Sequence, residues 1–248
     1  MKPAYTLEKI KYATDEPTYK RAIGLYESGK IKEFDDNGIT YTATVQGTHP
    51  YKVVVHSKSY DRGRCNCYLG EQDILCKHMV AVAIYAILRG KKIPTEDKTT
   101  ISHPTCSKNL GELSTEELAE TKKVISNAVR LIKAYSGPSR IWFAYQDSLR
   151  EGTNRLSTIV SKLPVSYQTA DLLVKLMIRL DKKLIYGGVD DSDGTVGGFI
   201  AECVDVLQEY AKLDEKSIKA FKSLVGISSC FDWEEPLVEI YQNSLKSN

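Results

Sequence analysis

The amino-acid sequence predicts an α+β protein in which a small module of a β-pair and a helix precedes an all-α helical domain. Three observations support this class. Residues 39–45 and 51–56 alternate with period two, the run Met79 to Leu88 is almost wholly apolar, and from Ser114 onward apolar residues recur at helical spacing between capping and breaking residues. The expected division is 1–92 for the first module, 93–111 for a linker and 112–248 for the helical domain.

Residues 16–29 read as a short helix. Pro17 suits a first turn, where its missing N–H has no helical partner to lose, Ala22, Ile23, Leu25 and Tyr26 form an apolar stripe, and Gly29 closes the element. The period then changes. From Ile39 to Val45 the alternate residues Ile, Tyr, Ala and Val share one face and threonines the other, which predicts a half-buried strand. Gly47-Thr48-His49-Pro50 supplies a turn, and Tyr51 to His56 forms a second, β-branched strand. The two strands are expected to pair antiparallel and to lead directly into the cysteines. Met79–Leu88 reads as a mostly buried helix ended by Gly90, and its ten residues are too few to span a bilayer.

Residues 91–113 carry Lys, Pro, Thr, Ser and Gly without periodicity, and the linker is placed within them. Ser114-Thr115-Glu116-Glu117 then caps a helix running to about Tyr135, broken by Gly137-Pro138. Further helices are expected over 141–162, 167–183, 196–212, 215–225 and 234–244. Trp142, Phe143, Tyr145, Phe231 and Trp233 flank or open these helices, where aromatics usually anchor packing.

Composition excludes several classes. The chain is 42% hydrophobic and 27% charged, so it has the make-up of a globular protein that buries a core without disulfides. Residues 1–100 hold 16 Lys and Arg against 12 Asp and Glu, and the remainder 18 against 20, so a weak basic excess accompanies the cysteines. A protein that coats DNA would be far more basic. No apolar stretch follows Met-Lys-Pro-Ala-Tyr, so an intracellular, cytoplasmic chain with no membrane association is expected. In a reducing compartment, clustered cysteines point to metal or catalysis.

That cluster is Cys65, Cys67, Cys76 and His78, with the spacing C-x-C-x8-C-x-H. Three thiolates and an imidazole complete a tetrahedral set and leave no open position, the mark of a structural zinc site rather than a catalytic one. Gly70 lets the chain reverse between the pairs. Soft thiolates with imidazole favour Zn2+ over magnesium or calcium, although iron can load such a site. The competing readings, free buried thiols or a catalytic cysteine, leave the third thiolate without a role.

The pattern, preceded by a β-pair and followed by an apolar helix, resembles the SWIM-type zinc finger of bacterial and archaeal proteins. The approach through Leu25-Tyr26-Glu27-Ser28-Gly29-Lys30-Ile31, Val45-Gln46-Gly47 and Tyr51-Lys52-Val53 is similar to the family's, as is Cys76-Lys77-His78 followed by Ala81 and Ala83. Such fingers occur beside Swi/Snf-type ATPases, in transposases and ubiquitin-pathway proteins, and in recombination factors that pair with RecA-like ATPases. The resemblance covers about residues 1–90. It implies zinc and suggests DNA or protein partners, but implies no reaction.

Lys52, Lys58, Arg62, Arg64 and Lys77, interleaved with Tyr51, Tyr60 and Tyr68, are the candidate contacts to nucleic acid or a partner. The alternative is a solvated face whose tyrosines pack inward. No Walker, G-x-S-x-G, H-E-x-x-H or G-x-G-x-x-G motif occurs, so the chain is expected not to be an enzyme. Asp190-Asp191-Ser192-Asp193-Gly194 lacks the ligands of a calcium loop at its ends and reads as a helix cap. His103 and Cys106 lack a second ligand pair, and Cys203 and Cys230 read as small core residues.

Overall fold

The computed structural model describes residues 2–138 and 142–246, except for the side chains of residues 143 and 144. The chain divides into two compact units, Met1–Thr100 and Ile101–Asn248.

In the first unit the order is α1 (Leu7–Ala13), α2 (Glu16–Glu27), β1 (Ile31–Asp36), β2 (Thr40–Gln46), β3 (Pro50–His56), β4 (Gly63–Cys65) and α3 (Lys77–Leu88). The strands form one antiparallel sheet in the order β1-β2-β3-β4. The expected β-pair is therefore the centre of a four-stranded meander. Its flanking strands escape the period-two test for physical reasons. In β1 the register shifts between Lys32 and Asp35, where Glu33 takes a left-handed φ of 51°, so the alternation breaks at a bulge. Strand β4 is three residues long and shows too little alternation to read. Helix α1 is also absent from the sequence reading. It has seven residues, less than two turns beyond its Thr6 cap, whose side chain accepts from the Lys9 N–H.

Tyr41, Ala43 and Val45 of β2 and Val53 and Val55 of β3 are buried on one face of the sheet, in the same core as α3. Every residue from His78 to Ile84 is buried, so this helix is covered on all sides rather than along one stripe. It ends at two left-handed residues, Arg89 and Gly90. The Arg89 guanidinium lies over the Phe34 ring at 4.7 Å and bonds the Asp36 carboxylate at 2.5 Å. That hydrogen bond holds the Asp36 carboxyl down at about 2.

The linker expected at 93–111 is divided between the units. Ile93 is buried in the first core, the Tyr19 hydroxyl donates to the Asp97 carbonyl at 2.6 Å, and the Tyr26 hydroxyl donates to the Lys91 carbonyl at 2.6 Å. Buried Lys11 adds a hydrogen bond to the Glu96 carbonyl. Beyond Thr100 the chain lies on the helical unit: the Ser107 hydroxyl donates to the Leu163 carbonyl at 2.6 Å, and the Val165 N–H donates to the Asn109 carbonyl at 2.7 Å. Backbone carbonyls make these contacts, so side-chain periodicity does not register them.

The second unit contains α4 (Thr115–Val129), α5 (Trp142–Val160), α6 (Tyr167–Ile185), α7 (Thr195–Leu213), a 3₁₀ helix (Glu215–Leu224) and α8 (Glu235–Lys246). The capping box of α4 is present, with Ser114 and Glu117 bonding each other's backbone N–H groups. The helix stops at Val129 rather than Tyr135, where i→i−3 bonds to Leu131 and Ile132 tighten the turn. The 215–225 helix is 3₁₀ rather than α. Its three-residue turn aligns Ser217 with Ala220 and Phe221 with Leu224, and all four are buried. Cys203 lies fully in this core, and its thiol is pushed up by burial. No helix among the described residues is long and apolar enough to cross a membrane.

The two tyrosine hydroxyls are the anchors of the 91–100 segment. Tyr19→Phe and Tyr26→Phe should each lower unfolding free energy by about 1 kcal/mol, the typical worth of one buried hydrogen bond. Chemical denaturation checks the energy, and limited proteolysis should show earlier cleavage at 91–100.

Candidate metal centre

The site is assembled at the junction between the last strand and α3. Val53 pairs with Cys65 across β3 and β4, which turns the Cys65 side chain to the buried face. Entry of β4 requires Gly63, because a Cβ there would stand 2.2 Å from the Val54 carbonyl oxygen. A 3₁₀ turn at Gly70–Gln72 reverses the chain, and left-handed Asp73, φ 57°, sends it back. Gly70 lies against the first ligand: a Cβ would stand 2.3 Å from the Cys65 carbonyl oxygen. Its N–H donates to the Cys67 sulfur at 3.4 Å. Cys76 is the extended residue that caps α3, and His78 lies in the first turn of that helix.

These four side chains converge. Their donor atoms all lie within 4.8 Å of one another, and among the described residues they form the one Cys/His/acid group able to hold a metal. His78 Nδ1 is 3.7 Å from the Cys65 sulfur and 3.9 Å from the Cys76 sulfur. A tetrahedron with Zn–S near 2.3 Å and Zn–N near 2.0–2.1 Å has edges of about 3.6–3.8 Å, close to these two Nδ1–sulfur distances, so the donor set suits Zn2+. Nδ1 is therefore the metal-facing nitrogen, which leaves the ring proton on Nε2. The Tyr51 ring stacks on the imidazole, centroids 4.2 Å apart and planes 22° apart, and fixes its orientation.

Charge in the site is set first by the contact between Cys65 and Cys76. The Cys76 thiol is pushed down to about 4, first by the hydrogen bond from Cys65, then by His78 and the Met79 N–H, against the opposing cost of burial. The Cys65 thiol is pushed up in turn by the same contact and by burial. The Cys65–Cys76 contact thus favours a thiolate at Cys76, the form that ligates.

Residues 59–87 match the family model of the SWIM zinc finger, a stretch that begins before β4 and ends within α3. The chain carries a SWIM zinc finger. No curated protein and no solved structure gives a significant match to it. In the SWIM finger a bound Zn2+ supplies a structural cross-link, because three thiolates and one imidazole occupy all four positions. His103 and Cys106 take no part: His103 contacts the Glu202 carboxylate, and Cys106 packs against the helical core.

The candidate contact residues separate into two groups. Lys52, Lys58, Arg62, Arg64 and Tyr68 are exposed around the finger, and Lys77 is half-buried. Tyr60 is a correction. It is 3% exposed, its ring meets Tyr5 edge-on at 5.5 Å, and its hydroxyl bonds Thr14 at 3.3 Å, so it is a core residue and cannot touch a partner. Missing from the sequence reading are exposed Leu69 and Ile74, which join Tyr68 at the apolar tip between the ligand pairs. Their side chains lie outside the core while Leu75, in the same loop, packs against it, so the loop sequence does not separate the two.

Metal analysis should return about one zinc per chain, and Cys76→Ser should lose it. Gly70→Ala should weaken zinc binding at least about tenfold in chelator competition, because the new methyl drives the knuckle away from Cys65. Chelation should remove hydrogen-exchange protection from β4 and α3 while α5–α7 keep theirs.

Proposed function

We propose that the chain is a non-enzymatic adaptor whose zinc-fixed surface contacts DNA, a DNA-handling ATPase of RecA-like or Swi/Snf type, or both. One observation carries the DNA part. Lys52, Lys58, Arg62, Arg64 and Lys77 form no ion pair among the described residues, as holds for most cations of this unit, and Lys52, Arg62 and Arg64 share one exposed face of the sheet.

Register explains how three of them come together. Lys52 stands opposite Thr44 and Arg64 opposite Val54, both exposed on the sheet face away from the core. The His56 N–H donates to the Arg62 carbonyl at 3.2 Å, which brings Arg62 to the end of the same face. Unpaired cations on a rigid sheet attract phosphates without first breaking internal bonds. The donor set, with every position filled by protein, supports a structural metal, and the missing nucleotide and hydrolase motifs support a non-enzymatic reading.

The knuckle supports a second reading, a scaffold that binds protein alone. Tyr68 is 76% exposed and Ile74 48%, beside Leu69, and such a cluster on a fixed loop suits an apolar docking contact.

Fluorescence anisotropy with labelled single-stranded and duplex DNA over a salt series separates the two. Each phosphate contact contributes about 0.9 to the log–log salt slope on duplex and about 0.7 on single strands. Changing Lys52, Arg62 and Arg64 together to Glu should abolish binding and its slope. Binding that ignores salt, or survives this change, rejects the DNA contact and leaves docking through Tyr68, Leu69 and Ile74.

A further inference from the structure

The helical unit contains a cavity of about 780 Å3 remote in sequence from the finger. One wall is a stripe of α7. Gly197, Ala201, Val204 and Gln208 recur at intervals of four, three and four residues and so share a helix face. Its first half is small: a Cβ on Gly197 would meet Asp191 Oδ2 at 3.4 Å and the Phe231 ring at 3.8 Å, and one on neighbouring Gly198 nothing within 4 Å. The opposite wall is the segment from Cys230 to Pro236, and Leu184 and Val189 close the end.

Phe231 stands at this cavity in a conformation that side-chain-bearing residues avoid. Both Phe231 and Asp232 are left-handed, with φ of 67° and 53°, and the Phe231 side chain is 82% exposed. The surrounding contacts enforce the pair. Asp181, 4% exposed, accepts from the Cys230 N–H at 2.8 Å and from the Trp233 indole N–H at 3.0 Å, and Ser229 bonds the buried Glu234 carboxylate. The chain is thus pinned on each side of the two strained residues. The ring stays largely in solvent at a backbone cost and edges the trough, its Cε2 3.8 Å from the Cβ position of Gly197. Strain of this kind persists where the surroundings over-determine it, and it concentrates at ligand clamps.

Charge specifies the ligand. Every ionised side chain lining the cavity is a carboxylate: Asp191, Asp205 and Asp232. Asp191 is half-buried and accepts the Val196 and Gly197 N–H groups of the α7 terminus at 2.8 Å each, with lone pairs left over. Carboxylates beside an exposed ring recognise a cation, and the interior of Val189, Ile200, Val204 and Trp233 takes an apolar body. The volume lies within the range of small-molecule sites, about 300–1,000 Å3.

We propose that this cavity binds a small organic cation with an aromatic or aliphatic body, its charge met by Asp205, Asp232 and the Phe231 ring. The assignment is independent of what the zinc finger contacts.

The test uses the full chain and three probes with one body, phenylbutylamine, phenylbutanol and phenylbutanoate, followed through the Trp233 indole resonance. The amine should bind saturably and about tenfold more tightly than the alcohol, and the carboxylate more weakly than either. Asp205→Asn with Asp232→Asn should erase the preference for the amine and leave alcohol binding unchanged. Phe231→Gly should relieve the left-handed backbone, raising Tm, while weakening the amine about tenfold; that opposition separates functional strain from a structural role. The proposal is overturned by no saturable indole shift, by equal affinity for amine and carboxylate, or by amine binding indifferent to Phe231→Gly. Binding of a basic amphipathic peptide without any of the amine also overturns it, in favour of a groove for a partner helix.

Discussion

The closure of Cys65 and Cys67 on Cys76 and His78 is the constraint from which the first unit takes its shape. Three sulfurs gathered with an imidazole nitrogen within 4.8 Å cannot all be thiolates unless a cation stands among them, since like charges in a buried site repel and lose their hydration. A bound cation reverses that balance and welds the end of the sheet to the start of α3. The backbone meets the same demand twice, with glycine at position 63 for the strand beside Val54 and at 70 for the knuckle beside Cys65. Behind the ligands, the buried run from His78 to Ile84 ties the site to the core, so the finger is continuous with the fold rather than appended to it.

That continuity decides which surfaces are available. The inner face of β2 and β3 is spent on α3, and Tyr51 is spent on the imidazole. What remains is the outer face of the sheet, with Lys52 and Arg64, and the knuckle tip, with Tyr68, Leu69 and Ile74. The two surfaces differ in chemistry, one cationic and polar, the other apolar. A partner with phosphates and a partner with an apolar patch could therefore each find a complementary site on one small unit. Rigid presentation lowers the ordering cost of either contact.

Legibility in the sequence follows the range of the interactions involved. The ligand set was readable because its spacing is local and its chemistry restrictive, and the central strands because six or seven residues of alternation suffice. Strand β1 was not, since its bulge at Glu33 puts two residues of one strand against one of the next. Tyr60 was misread for a related reason: it sits among polar residues in a loop, and only the fold shows it turned in against Tyr5 and Thr14. The division of 93–111 was equally hidden, because hydroxyl-to-carbonyl bonds from Tyr19 and Ser107 leave no mark on periodicity.

The helical unit shows the same rule from the other side. Its elements were legible one by one, through caps such as Ser114 and Asp191 and through apolar spacing. The cavity was not, because α6, α7 and the 230–236 segment contribute to it from positions up to about fifty residues apart. Its one local trace is that Cys230-Phe231-Asp232 carries no glycine where two left-handed residues stand, of which the aromatic Phe231 is the one the backbone tolerates least. A side chain at such a position costs backbone energy, and here it places the Phe231 ring at the rim of a cavity whose ionised lining residues are all carboxylates.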